Sequence, residues 1–86
     1  MEIEMKPLSV FRLGGRNVMQ CRVMRGRPQD ALNRTLLYCD GERRVALKLT
    51  GMSTAWNQDG VYDFTFDGPL EPATTLSPRA VVVADD

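Results

Sequence analysis

The sequence predicts an all-β fold, a small antiparallel barrel of five to six strands with at most one short helical turn. Three observations carry this. Short runs rich in Val, Leu, Phe and Tyr recur along the chain; within them apolar and polar residues alternate at period two; and glycine breaks such as Gly14-Gly15 and Asp40-Gly41 separate them. The 86 residues leave room for one domain, 1–86, and a sheet this small covers its edges most economically by curling into a barrel. A hydrophobic content of 43% with 26% charged residues excludes a disordered chain.

The first element is extended: Ile3 and Met5 alternate with Glu4 and Lys6 until Pro7 interrupts the hydrogen bonding, the pattern of an edge strand. Residues 8–13 and 16–24 then flank Gly14-Gly15 as a hairpin. A two-residue loop pairs Leu13 with Arg16, Phe11 with Val18, Val10 with Met19, Ser9 with Gln20 and Leu8 with Cys21. Leu8, Val10, Met19, Cys21 and Val23 form an apolar face. Phe11, Leu13, Arg16, Val18, Gln20 and Arg22 form the other, a mixture that suits a binding platform better than a solvated surface.

Arg25-Gly26-Arg27-Pro28 ends this hairpin, and residues 28–34 form one helical turn or a loop beginning with Pro. Arg25 and Arg27 can close over phosphates there, although loops are commonly basic for solubility alone.

The central stretch, TLLYCDGERRVALKL at 35–49, is the clearest hairpin. Asp40-Gly41 fits a type I′ turn, which pairs Cys39 with Glu42, Tyr38 with Arg43, Leu37 with Arg44, Leu36 with Val45 and Thr35 with Ala46. Leu36, Val45, Leu47 and Leu49 then face the core, with Tyr38 and Arg43 at its rim; Leu37, Arg44, Ala46 and Lys48 face outward.

Residues 51–60 read as a loop with Trp56 inside it, either capping the barrel or stacking on a ligand. In 61–66 Tyr62, Phe64 and Phe66 point to the core, while Asp63, Thr65 and Asp67 point to water. A Pro-punctuated loop leads to a last strand in RAVVV, apolar enough to be covered on both sides, and 84–86 is a short acidic tail.

The net charge of zero hides an asymmetry. Residues 1–48 carry ten Lys/Arg against five Asp/Glu, and 49–86 carry one against six, so the halves are +5 and −5. Nine of the eleven cations are Arg, whose planar fork pairs with phosphate and stacks on flat groups. Pairing of the two halves within the fold would also account for the asymmetry.

With no His and only Cys21 and Cys39, a four-ligand Cys/His zinc site cannot form, which argues against a structural metal, and histidine catalysis is impossible. No P-loop, nucleophile elbow or C-x-x-C arrangement occurs. Asp63 and Asp67 lie roughly 13 Å apart on an extended strand, too far for a carboxylate dyad. The expectation is a protein that is not an enzyme and holds no cofactor. The first residues lack a secretory pattern, no apolar stretch spans a membrane, and the two thiols face different ways, so the expected location is cytoplasmic and away from membranes.

Cations beside aromatics are what single-stranded nucleic acid requires, the former for phosphates and the latter beneath unstacked bases. Here the Gly-turn hairpin SVFRLGGRNVMQCRV, the basic hairpin LLYCDGERRVALKL and the strand DGVYDFTF together resemble the small OB-fold single-stranded-DNA-binding proteins, including those of filamentous phages. The resemblance lies in size and order and covers most of the chain. It implies an OB-like barrel in a DNA-replication setting, working as a dimer that coats single strands. It also implies DNA contacts from Phe11, Arg16, Arg22, Tyr38, Arg43, Arg44 and Lys48, with Trp56 as a further stack; Arg25 and Arg27 join them from the loop argument. The alternative is a small protein-interaction module, an adaptor or inhibitor, binding an acidic partner. Opposite charge on the two halves also allows a homodimer or a head-to-tail oligomer.

Overall fold

The computed structural model describes residues 3–54, 59–70 and 76–84. Six strands, β1 (Glu4–Leu13), β2 (Arg16–Arg25), β3 (Thr35–Asp40), β4 (Arg43–Thr54), β5 (Val61–Asp67) and β6 (Val81–Ala84), form a closed barrel in the order β1-β2-β5-β4-β3-β6. Every pairing is antiparallel. The single helical element among the described residues is a 3-10 turn, Pro28–Ala31. The all-β class is therefore as the sequence predicts. OB-type barrels have five strands and are partly open; this ring has six and is closed by β6 lying between β3 and β1.

Hairpins join β1 to β2, β3 to β4 and β4 to β5, because each pair is separated by a short glycine-containing segment. The other two connections join strands that stand on opposite sides of the ring. Residues 26–34 carry the chain from β2 to β3, with Ala31 fully buried and Leu32 bridging to Leu49. Asn33 takes a left-handed conformation there (φ 61°), and its N–H donates to the Leu49 carbonyl at 2.9 Å. Asn tolerates that conformation better than most residues. The second crossing runs from β5 to β6, and Lys6 fastens its end by donating to the carbonyls of Pro78 and Ala80.

The interior is filled from all six strands: Met5, Val10, Met19, Cys21, Leu36, Tyr38, Leu47, Leu49, Phe64, Phe66 and Val82 are buried there. Each such side chain contributes about 1.5–3 kcal/mol on leaving water, which is what holds a barrel this small closed. Tyr62 packs against the same cluster from the β5 end.

The central hairpin corrects the predicted turn. Its loop is Gly41-Glu42, and the pairs are Asp40↔Arg43, Cys39↔Arg44, Tyr38↔Val45, Leu37↔Ala46, Leu36↔Leu47 and Thr35↔Lys48. Only Gly41 has positive φ (63°), the pattern of a II′ turn, whose first position alone demands glycine. A I′ turn would also have forced Asp40 to positive φ. Moving the loop by one position shifts the pairing by two residues, so the predicted faces survive. What changes is Tyr38: it pairs with Val45 and is fully buried rather than standing at a rim.

The first hairpin matches its predicted pairs from Leu13↔Arg16 to Ser9↔Gln20. Below them the register shifts between Pro7 and Ser9, so that Pro7, not Leu8, stands opposite Cys21. Pro7 lacks an N–H and sits where a bulge disrupts the ladder anyway. Leu8 is thereby turned out of the apolar face and is 38% exposed. A ten-residue β1 thus runs straight through Pro7 instead of ending there.

Candidate functional site

On β2 the side chains of Met19 and Cys21 enter the core, which turns Arg16, Val18, Gln20 and Arg22 outward. Registration carries this outer face across four strands. Phe11 stands beside Val18, Val18 beside Thr65, and Thr65 beside Gly51; one step along, Ser9, Gln20, Asp63 and Ser53 form a parallel row. In the second row the Gln20 amide donates to Asp63 Oδ1 at 3.2 Å.

The first row does not make a flat surface. Phe11, Leu13, Arg16, Val18, Met52 and Asp63, with Thr65 and Gly51, line an open depression of about 300 Å³. Val18 is only 5% exposed yet lies outside the main core cluster, because it is covered by its neighbours on the outer face. Gly51 has no side chain to fill the floor, where a Cβ would come within 2.8 Å of Thr65 Oγ1. Next to this depression is a second of about 380 Å³, lined by Gly15, Arg16, Asn17, Thr50, Thr65, Phe66 and Asp67. Arg16 and Thr65 belong to both. The first is apolar in character and the second polar.

The second depression exists because β4 carries a bulge. Its register shifts between Leu49 and Gly51, which leaves Thr50 unpaired with β5 in the ladder. Thr50 Oγ1 instead lies 2.9 Å from Thr65 Oγ1. Lys48 stands opposite Asp67 just above it.

The charges on this face fall in columns. β2 presents Arg16 and Arg22, β5 presents Asp63 and Asp67, and β4 presents Arg44 and Lys48. β2 and β4 both run antiparallel to β5, so Arg16, Arg43 and Arg44 gather at the same end of the barrel. All of these arginines and Lys48 are exposed.

Among the residues singled out from sequence, the structure thus brings Phe11 and Arg16 into one depression, sets Arg22 further along the same outer column, and places Lys48, Arg44 and Arg43 at the neighbouring strand. It does not bring in Tyr38, whose ring is sealed in the core and cannot reach a ligand. Burial pushes the Tyr38 phenol above its ordinary value, Asp40 adds to that, and Arg43 opposes it. Arg25 ends β2 and Arg27 lies just past it; both are exposed, nine and more residues from Arg16, or roughly 30 Å at strand spacing. Trp56 and the end of the acidic tail, Asp85 and Asp86, lie outside the described residues.

Met52, Thr50, Thr65, Asp63 and Asp67 line the depressions yet escaped sequence reasoning. The alternation in 61–67 did turn both acids outward. That Asp63 stands beside Gln20 and Asp67 shares a depression with Arg16 depends on β5 pairing with β2, more than forty residues away in sequence, and no local pattern encodes that.

Both cysteines are free thiols, Cys21 buried and Cys39 half-buried. Burial pushes the Cys21 thiol far above its ordinary value, with the Asp63 charge behind it adding a smaller push, so it is inert as a nucleophile. Among the described residues no group of three or more His, Cys, Asp or Glu side chains could hold a metal ion, and no helix is long and apolar enough to cross a membrane. No protein-family model, curated protein or solved structure matches the chain.

Proposed function

We propose that this barrel is a non-enzymatic protein of the cytoplasm that binds single-stranded nucleic acid on the outer face of β1, β2, β5 and β4. The observation that carries the reading is the apolar depression with Phe11 in its wall and Arg16 at its edge. A flat aromatic edge beside a forked cation is the pairing that an unstacked base and its phosphate require, and each base–aromatic stack contributes about 1–3 kcal/mol. Arg22 on one side and Lys48 and Arg44 on the other, with Arg43 at the rim of the barrel, supply further phosphate partners. The acids of β5 lie between these columns, so bases and sugars, which carry donors, run over β5 while phosphates follow the arginines. A duplex hides its bases, and among the described residues this face carries no long groove-filling element, which favours the single strand. Two unpaired thiols accord with a reducing compartment.

Amide NMR shift mapping during titration with a short single-stranded oligonucleotide tests the site. Shifts centred on Phe11, Val18, Asp63 and Thr65 are expected. Shifts confined to β3 and β6 would overturn the assignment.

One observation favours a second reading, docking of an acidic protein. Leu37, Val81 and Val83 form a half-buried apolar strip on the outer face of β3 and β6, and Arg44 stands beside it across from Cys39. On that reading oligonucleotides leave every amide unmoved, and an acidic protein is recovered in stoichiometric amount.

A further inference from the structure

We infer that the strand held by this face is RNA, with the polar depression receiving a ribose and reading its 2′-hydroxyl. The inference rests on the single-strand reading above and adds the sugar, against the DNA that the family resemblance implies.

The two depressions abut along Arg16 and Thr65. A base and its own sugar are joined directly, so a base lodged against Phe11 and Val18 brings its ribose to that ridge and over it. The polar side offers Asn17, Thr50, Thr65 and Asp67, with Arg16 at the margin. Asp67 is the deciding group. A carboxylate only accepts hydrogen bonds, so it repels phosphate and is satisfied by a hydroxyl donor. Thr50 and Thr65 are hydrogen-bonded to each other at 2.9 Å, which fixes their orientation with lone pairs left on both oxygens. The Arg16 guanidinium donates and the Asn17 amide oxygen already accepts from Arg12 at 3.4 Å, so Asp67 is the acceptor that a sugar carrying a donor at its 2′ position meets beside the base platform. Deoxyribose lacks that donor and would cover part of Asp67 without supplying it a hydrogen bond. The 2′-hydroxyl is also the group by which proteins distinguish RNA from DNA at a given site.

The test compares three oligomers of equal length and identical base, oligo-rU, oligo-dU and 2′-O-methyl oligo-U, by fluorescence anisotropy at one salt concentration. The expected result is that oligo-rU binds about tenfold tighter than both others, the size of one hydrogen bond to a charged group. The methylated strand keeps the ribose but loses the donor, so it should follow oligo-dU. Asp67→Ala, at an exposed position, should bring rU and dU to within about twofold of each other. Equal binding of rU and dU by the wild-type protein overturns the ribose inference and leaves single-strand binding standing. A 2′-O-methyl strand that binds like rU overturns it too, since sugar conformation would then set the preference. An rU preference that survives in Asp67→Ala overturns the assignment to this pocket. Failure of all three to bind even at low salt overturns the single-strand reading itself.

Discussion

Arg16 from β2 and Thr65 from β5 both line the apolar and the polar depression, so these two residues mark the ridge between them. The pairing of β2 with β5 makes this ridge, and the bulge in β4 opens the space behind it. Neither residue is a core position, which allows the surface to be altered without dismantling the barrel.

Phe11→Ala removes the aromatic wall of the apolar depression. Affinity for single strands should fall by about 1–3 kcal/mol, the worth of one base stack, while the far-ultraviolet spectrum stays that of the wild-type barrel. Anisotropy titration beside circular dichroism checks both halves of this expectation.

Reversing charge at the turn of the central hairpin is a second test of the surface. Arg43 and Arg44 are exposed, so Arg43→Glu with Arg44→Glu should leave thermal unfolding close to wild type, weaken oligonucleotide binding and flatten its salt dependence. A folded double mutant with full affinity would remove these two arginines from the site.

Tyr38 belongs to stability rather than to recognition. It is fully buried, and its hydroxyl lies 3.5 Å from Asp40 Oδ2 at the mouth of the barrel. Tyr38→Ala should cost about 3–5 kcal/mol, a large part of the roughly 4–13 kcal/mol expected for a chain of this length. Tyr38→Phe keeps the ring in place and should bind oligonucleotides as the wild type does. Denaturant titration and anisotropy separate the two roles.

Gly68 follows β5 with φ 153°, and a Cβ there would meet Leu47 Cδ2 at 2.5 Å and the Ala46 carbonyl oxygen at 2.9 Å. The second contact is with backbone and cannot be relieved by a rotamer change. Gly68→Ala should therefore destabilise by at least about 1 kcal/mol, read from the denaturant midpoint.

Alkaline pH should loosen the fold. Cys21 and Tyr38 both ionise to anions, and both are pushed upward in the folded state from ordinary values of 9.0 and 10.0. The unfolded chain therefore loses these protons first. The thiol's contribution is complete below pH 9.0 and the phenol's below pH 10.0; each is lost as pH rises above that value, at up to about 1.4 kcal/mol per pH unit. Cys21→Ala removes the thiol's share, so its stability should decline less steeply just above pH 9.0. A wild-type unfolding curve that is flat with pH in this range would contradict the burial assigned to the thiol.

Much of the fold was legible because period-two alternation and glycine turns are local signals. The faces of 35–49 and 61–67 follow from alternation alone, and the pairing of 8–13 with 16–24 follows from Gly14-Gly15, whose φ values of 58° and 79° are those a I′ turn needs. Leu8 was misassigned because a bulge at Pro7 slips the register by one residue, and a slip of one exchanges the faces. The central turn was misplaced because Asp-Gly and Gly-Glu both satisfy a two-residue loop, and only φ at Asp40 separates them. Within the candidate site, Phe11, Arg16 and Val18 were visible because they share one hairpin. Thr50, Met52, Asp63, Thr65 and Asp67 were not, since they arrive by strand pairings between distant segments and by the bulge at Thr50.

Binding at the outer face is tested by fluorescence anisotropy with a labelled single strand and a duplex of equal length across a salt series. The single strand should bind in preference to the duplex, with log affinity falling linearly as log salt rises while counterions are released from the phosphates. No binding of the single strand at low salt, or equal binding of the duplex, would contradict it.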